Sequence, residues 1–167
     1  MNRRVLLLLT IAGLATGLAG NGLRAEEHND PALIKSMAEA KITLQQGLTA
    51  AAQEGRPISA KFELDDGKLQ LSVYTAKDGK FSEVIVDHVT GKIAKAEPIT
   101  EGDDLAAAKA QSAAMAKAKS DLKSAVDKSA SGARAISVTP ALKGERASAS
   151  ITVLKGQQFQ TAEQSLE

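Results

Sequence analysis

Residues 58–93 read ISAKFELDDGKLQLSVYTAKDGKFSEVIVDHVTGKI. Ile58, Ala60, Phe62 and Leu64 alternate with Ser59, Lys61, Glu63 and Asp65. Leu69, Leu71 and Val73 then alternate with Lys68, Gln70, Ser72 and Tyr74. Successive side chains of a strand point to opposite faces, so this period of two predicts an antiparallel sheet with one covered and one wet face. Asp66-Gly67 and Asp78-Gly79 supply the turns, because glycine tolerates the positive φ that tight hairpins demand. Residues 81–86 make a third strand, 87–91 a third turn and 92–96 a short last strand.

Upstream lies the helix that should cover this sheet. Asp30 before Pro31 is a helix start: a capping carboxylate, then proline where its missing N–H costs nothing. Ile34, Met37, Leu44, Leu48 and Ala51 fall on one face of a helix expected over about 31–53. Gly47 weakens it by about 1 kcal/mol relative to alanine. Gly55 and Pro57 stop it.

Downstream, residues 98–104 form a polar break, and Asp103 or Asp104 can cap a second helix. Leu105, Ala108, Met115, Leu122 and Val126 mark its narrow apolar stripe. Strand patterns return at 135–142, 147–154 and from Phe159 onward. The offset that carries Leu44 onto Leu122 also carries Arg56 onto Arg134, Ile58 onto Ile136, Val73 onto Ile151 and Phe81 onto Phe159. Helix and strand faces stay in phase, as expected of a repeated helix-plus-meander unit. Pro140 in the second copy marks a strand that is at an edge or broken there. The expected fold is α+β: two tandem units, each a helix packed on an antiparallel three- or four-stranded β-meander. Residues 26–99 form the first unit and 100–167 the second, degenerate one.

The chain opens with Arg3 and Arg4, an apolar run over 5–14, and small residues up to Ala25. That run is too short to span a bilayer, so residues 1–25 read as a secretory signal peptide. Cleavage is expected after Ala25, with Ala19 and Gly20 as alternatives. The chain has no cysteine, hence no disulfide, thiolate metal site or cysteine nucleophile. Export without disulfides fits the bacterial periplasm. Without Arg3, Arg4 and Arg24 the 21 basic residues fall to 18 against 20 acidic ones, a net of −2. That balance argues against a nucleic-acid partner, and no stable membrane insertion is expected after signal removal.

The first copy resembles the PepSY domain, a small secreted α+β module of bacteria. The residues that carry the resemblance are the helix ending near Gly55, the strands over 58–66 and 69–75, and above all Phe81 to Asp87 followed by Thr90-Gly91-Lys92-Ile93. The resemblance implies a non-catalytic envelope module, often paired in tandem, that inhibits or modulates peptidases.

No residue pattern points to a reaction. A Ser-His-Asp triad needs His28 or His88, one in a tail and the other in a turn. The pairs Asp65/Asp66 and Asp103/Asp104 diverge in turns and do not flank a substrate. The expected contact surface is the wet face of the first sheet, with Lys61, Glu63, Gln70, Ser72 and Tyr74 pointing outward, and an unpaired edge could add a peptide strand. Its partner would be a peptidase or another envelope protein. The alternative is a small-ligand or metal-binding envelope protein. Cleavage after Ala25 would expose Glu26-Glu27-His28, whose α-amine, two amide nitrogens and imidazole form a square-planar set suited to copper.

Overall fold

The computed structural model describes residues 30–167. The expected signal peptide and the Glu26-Glu27-His28 copper site lie outside them. In chain order the elements are α1 (Pro31–Ser36), a 3₁₀ turn (Met37–Glu39), α2 (Leu44–Ala51), β1 (Arg56–Asp65), β2 (Lys68–Lys77), β3 (Lys80–Val86) and β4 (Ile93–Ile99). Then follow α3 (Gly102–Lys117), α4 (Leu122–Ala130), β5 (Arg134–Lys143), β6 (Arg146–Lys155) and β7 (Gln158–Ser165).

The strands form one seven-stranded antiparallel sheet in the order β4-β3-β2-β1-β5-β6-β7. This corrects the expectation of two tandem units, each with its own sheet. β1 and β5 join the two meanders edge to edge through Ala60↔Val138 and Lys61↔Ser137. A lone meander would leave β1 as an open edge, and pairing it removes that liability.

The junction has internal symmetry. α2 and α4, β1 and β5, β2 and β6, and β3 and β7 all begin at the same offset, the one that separates Leu44 from Leu122. Both first strands carry a bulge at the same place, between Pro57 and Ser59 and between Ala135 and Ser137. Ala60 therefore pairs with its own counterpart, Val138, as happens on a two-fold axis perpendicular to the sheet. The β1–β5 ladder ends before Pro140, so the missing N–H of that proline interrupts no bond to β1.

Each long helical pattern is broken in two. Ala40 is extended, and Thr43 restarts the chain as α2 with a capping box: its hydroxyl accepts from the Gln46 N–H, and the Gln46 side chain accepts from the Thr43 N–H. Ala118 is likewise extended, and the Asp121 carboxylate accepts from the Ser124 N–H to start α4. The linker before α2 is tied to the carbonyl after β3, since the N–H groups of Lys41 and Ile42 both donate to the His88 carbonyl. The linker before α4 repeats this with the equivalent positions of the second copy: the N–H groups of Lys119 and Ser120 donate to the Leu166 carbonyl.

The helices lie on both faces. α2 packs on the face of Phe62, Leu71, Val73, Val84 and Val86, where Gly47 sits against Leu71. α4 covers the matching face of the other half, burying Leu122, Ala125 and Val126, and meets α2 where Gln45 donates to Asp127. α3 crosses the opposite face: Asp104 meets Tyr74 of β2 and Gln111 meets Ser59 of β1. Its alanine-rich surface lets it seat closely, burying Ala108, Ala114 and Met115. The expected wet face is thus partly roofed. No helix among the described residues is long and apolar enough to cross a membrane.

Candidate functional site

Lys61, Glu63, Gln70, Ser72 and Tyr74 do share one face, with Lys61 opposite Ser72 and Glu63 opposite Gln70. The structure does not leave them all outward. Ser72 is buried, at 1% exposure, and donates to Glu83 Oε1 at 2.7 Å. Tyr74 is half-buried and its hydroxyl donates to Asp104 Oδ1 at 2.7 Å. Lys61 and Glu63 pair at 2.6 Å. Much of this polar layer is therefore engaged internally, between the sheet and α3.

Tyr74 reports on that layer. Burial pushes its phenol well above the ordinary range, helped by the hydrogen bond to Asp104 and by the nearby charges of Asp104, Glu83 and Glu63. A raised pKa in the folded state means that the neutral phenol is favoured by folding. The stability it contributes is full below about pH 10 and is lost as the pH rises above that value. Tyr74 is the chain's one tyrosine and there is no tryptophan, so ultraviolet titration reads it directly. At a given alkaline pH the folded protein should show less phenolate than the denatured chain, and Asp104→Asn should bring the transition down. A folded midpoint near 10 would contradict the contact.

The turn after β3 is held by its own chemistry. Asp87 Oδ1 accepts from the N–H groups of Val89 and Thr90 and from the Thr90 hydroxyl, and Gly91 takes a φ of 75°. The Thr90 N–H, then its hydroxyl, then the Val89 N–H hold the Asp87 carboxyl below the usual range. This is turn stabilisation, as is the lowered Asp121 at the start of α4. His88 serves through its backbone carbonyl, and its Nδ1 is buried without a hydrogen bond. Among the described residues no three of His, Cys, Asp and Glu gather where they could hold a metal ion.

An open concavity lies elsewhere. Pro31, Ile34, Lys35, Met37 and Ala38 face Arg134, Leu154, Gly156 and Gln157 across an open groove of about 790 Å³. One wall is α1 and its 3₁₀ turn, and the other is the start of β5 with the β6–β7 turn. Arg134 holds the walls together by donating from Nη2 to the carbonyls of Ala40 and Ile42. Sequence reading placed Ile34 and Met37 on an apolar helix face and paired Arg134 with Arg56, but it had no means of bringing the two sets together. Neither a protein-family model, nor a curated protein, nor a solved structure matches the chain.

Proposed function

We propose that this chain is a non-enzymatic, PepSY-like module of the bacterial periplasm that binds a polypeptide, such as a segment of a peptidase. The groove beside α1 carries this reading. Its lining joins apolar Ile34, Met37 and Leu154 to a few polar groups, the composition expected of a recognition site. Lys35 and Arg134 are the ionisable lining residues, and Arg134 is already bonded to two carbonyls. Two cations, with no carboxylate or imidazole among the described lining residues, suit binding better than proton transfer. The turn of Asp87, Thr90 and Gly91, on which the family resemblance largely rests, serves the scaffold.

The test is selection of peptides from a display library on the exported protein, followed by titration of the selected peptides. Leu154→Glu places a charge in the groove and should weaken them at least tenfold, about 1.4 kcal/mol. Failure to select any peptide, or equal affinity in L154E, would reject the reading.

A further inference from the structure

The charge around the groove is one-sided. Lys35 on α1 and Arg134 at the start of β5 stand on opposite walls. Asp30, next to Pro31, is taken up in capping α1, where its Oδ1 accepts from the N–H groups of Ala32 and Leu33. Glu39, next to Ala38, is not part of the lining. Lys35 is exposed and has no ion pair among the described residues. Arg134 is half-buried, and its Nη2 donates to the carbonyls of Ala40 and Ile42, so backbone rather than an acid fixes the guanidinium. Nε and Nη1 carry its remaining N–H groups, and among the described residues these make no bond. A guanidinium plane fixed in advance loses little freedom when it meets a carboxylate.

The repeat supplies a comparison within the chain. Its offset carries Ile34 onto Ser112, Lys35 onto Ala113, Ala76 onto Leu154 and Asp78 onto Gly156. It carries Met37 onto Met115, and both methionines are buried. The core position persists, while the cation and the apolar groove residues do not. The shared scaffold therefore does not require a cation at Lys35.

We propose that the groove selects an acidic polypeptide segment. An aspartate or glutamate side chain meets Arg134 and Lys35, and an apolar neighbour meets Ile34, Met37 and Leu154. This rests on the reading of the chain as a polypeptide-binding module and names the chemical class of its ligand. The groove is open, so a continuous segment can lie in it and present a side-chain carboxylate rather than a chain end. Partial burial of Arg134 strengthens its attraction for a carboxylate, and paired N–H groups fit both carboxylate oxygens. Lys35, in water, adds a weaker attraction that salt screens. The apolar lining supplies affinity, and the cations decide which segment enters.

The experiment selects from two peptide libraries on the exported protein, both displayed without free chain ends. One fixes glutamate at the centre among apolar residues, and the other fixes glutamine there. Binders should come from the glutamate library, lose about tenfold in affinity when that glutamate becomes glutamine, and weaken as salt is raised. Lys35→Glu, on the exposed side of α1, should weaken them about tenfold and narrow their lead over the same peptides with lysine at the centre. A loss caused by misfolding would weaken both sets alike and move the thermal midpoint. Arg134→Lys keeps the charge without the fork and should also weaken the glutamate peptides about tenfold. Glutamine peptides that bind as tightly and fail on L154E would leave the groove reading standing and remove the acidic class. Glutamate peptides that are lost on Lys35→Glu but bind L154E at full strength would support the carboxylate contact and reject the apolar groove. Binding that requires a free C-terminus would overturn the proposal. So would a concentration-dependent dimer that excludes the peptides.

Discussion

A fragment comprising residues 26–100 is expected to show no cooperative thermal transition, while residues 26–167 melt in a single one. The fragment contains every strand of the first meander, yet each of its surfaces is completed by the second half. Removing β5 unpairs β1 at Ala60 and Lys61. Removing α3 uncovers Ser59 and Tyr74 and leaves their hydroxyls without Gln111 and Asp104. Removing α4 and Arg134 strips α2 of its neighbour and the carbonyls of Ala40 and Ile42 of their donor. A unit of about 70 residues buries too small a fraction of its surface to absorb such losses. Circular dichroism of the fragment measures this directly. A sigmoidal melt at the midpoint of the longer chain would mean that the shared sheet contributes nothing to stability.

The second large effect is expected at Leu71. This side chain is fully buried at the centre of β2, under α2. Leu71→Ala should cost about 2–5 kcal/mol through lost transfer energy and the cavity left behind. At roughly 4 °C per kcal/mol for a chain of this size, the melting point falls by roughly 8–20 °C. Gly47 sharpens the prediction, because a Cβ added there would lie 2.4 Å from Leu71 Cδ2. Gly47→Ala alone sets a helix-propensity gain of about 1 kcal/mol against an overpacking cost of about 1–3 kcal/mol, so it should destabilise or be neutral. In the Leu71→Ala background the clash is gone, and Gly47→Ala should stabilise by about 1 kcal/mol. Urea unfolding of the four proteins gives the coupling. Additive effects would show that Gly47 is not kept small by Leu71.

Much of the local structure was legible because it is written at short range. Alternation from Ile58 onward marks the strands, and the two Asp-Gly pairs fall at the hairpins, where Asp66, Gly67, Asp78 and Gly79 all take positive φ. Asp30 and Pro31 begin α1 as their chemistry dictates. The helix breaks are also written at short range: Thr43 with Gln46 is a capping-box pair, and Asp121 with Ser124 a side-chain cap. An unbroken apolar stripe across Ala40 and Ala118 hides them.

The rest was not available locally. Nothing in the alternation of β1 says that its edge is taken by a strand from the other half of the chain, so the pattern reads as two sheets. Ser72 and Tyr74 carry the polar signature of a solvent face, and only the placement of α3 turns that face inward. An alanine-rich helix with a weak stripe gives little warning that it will roof a polar layer. The groove unites residues 31–38 with residues 134–157, and no spacing rule spans that distance.

The pairing of Ala60 with Val138 also bears on stoichiometry. Two separate chains related by such an axis would present identical outer ends, and a sheet with two receptive ends can grow into a filament. Here the halves are covalently linked, and their ends differ: β4 lies outside β3, and among the described residues no strand lies outside β7, the counterpart of β3. Covalent fusion fixes that pairing within one chain and lets each end change independently of the other.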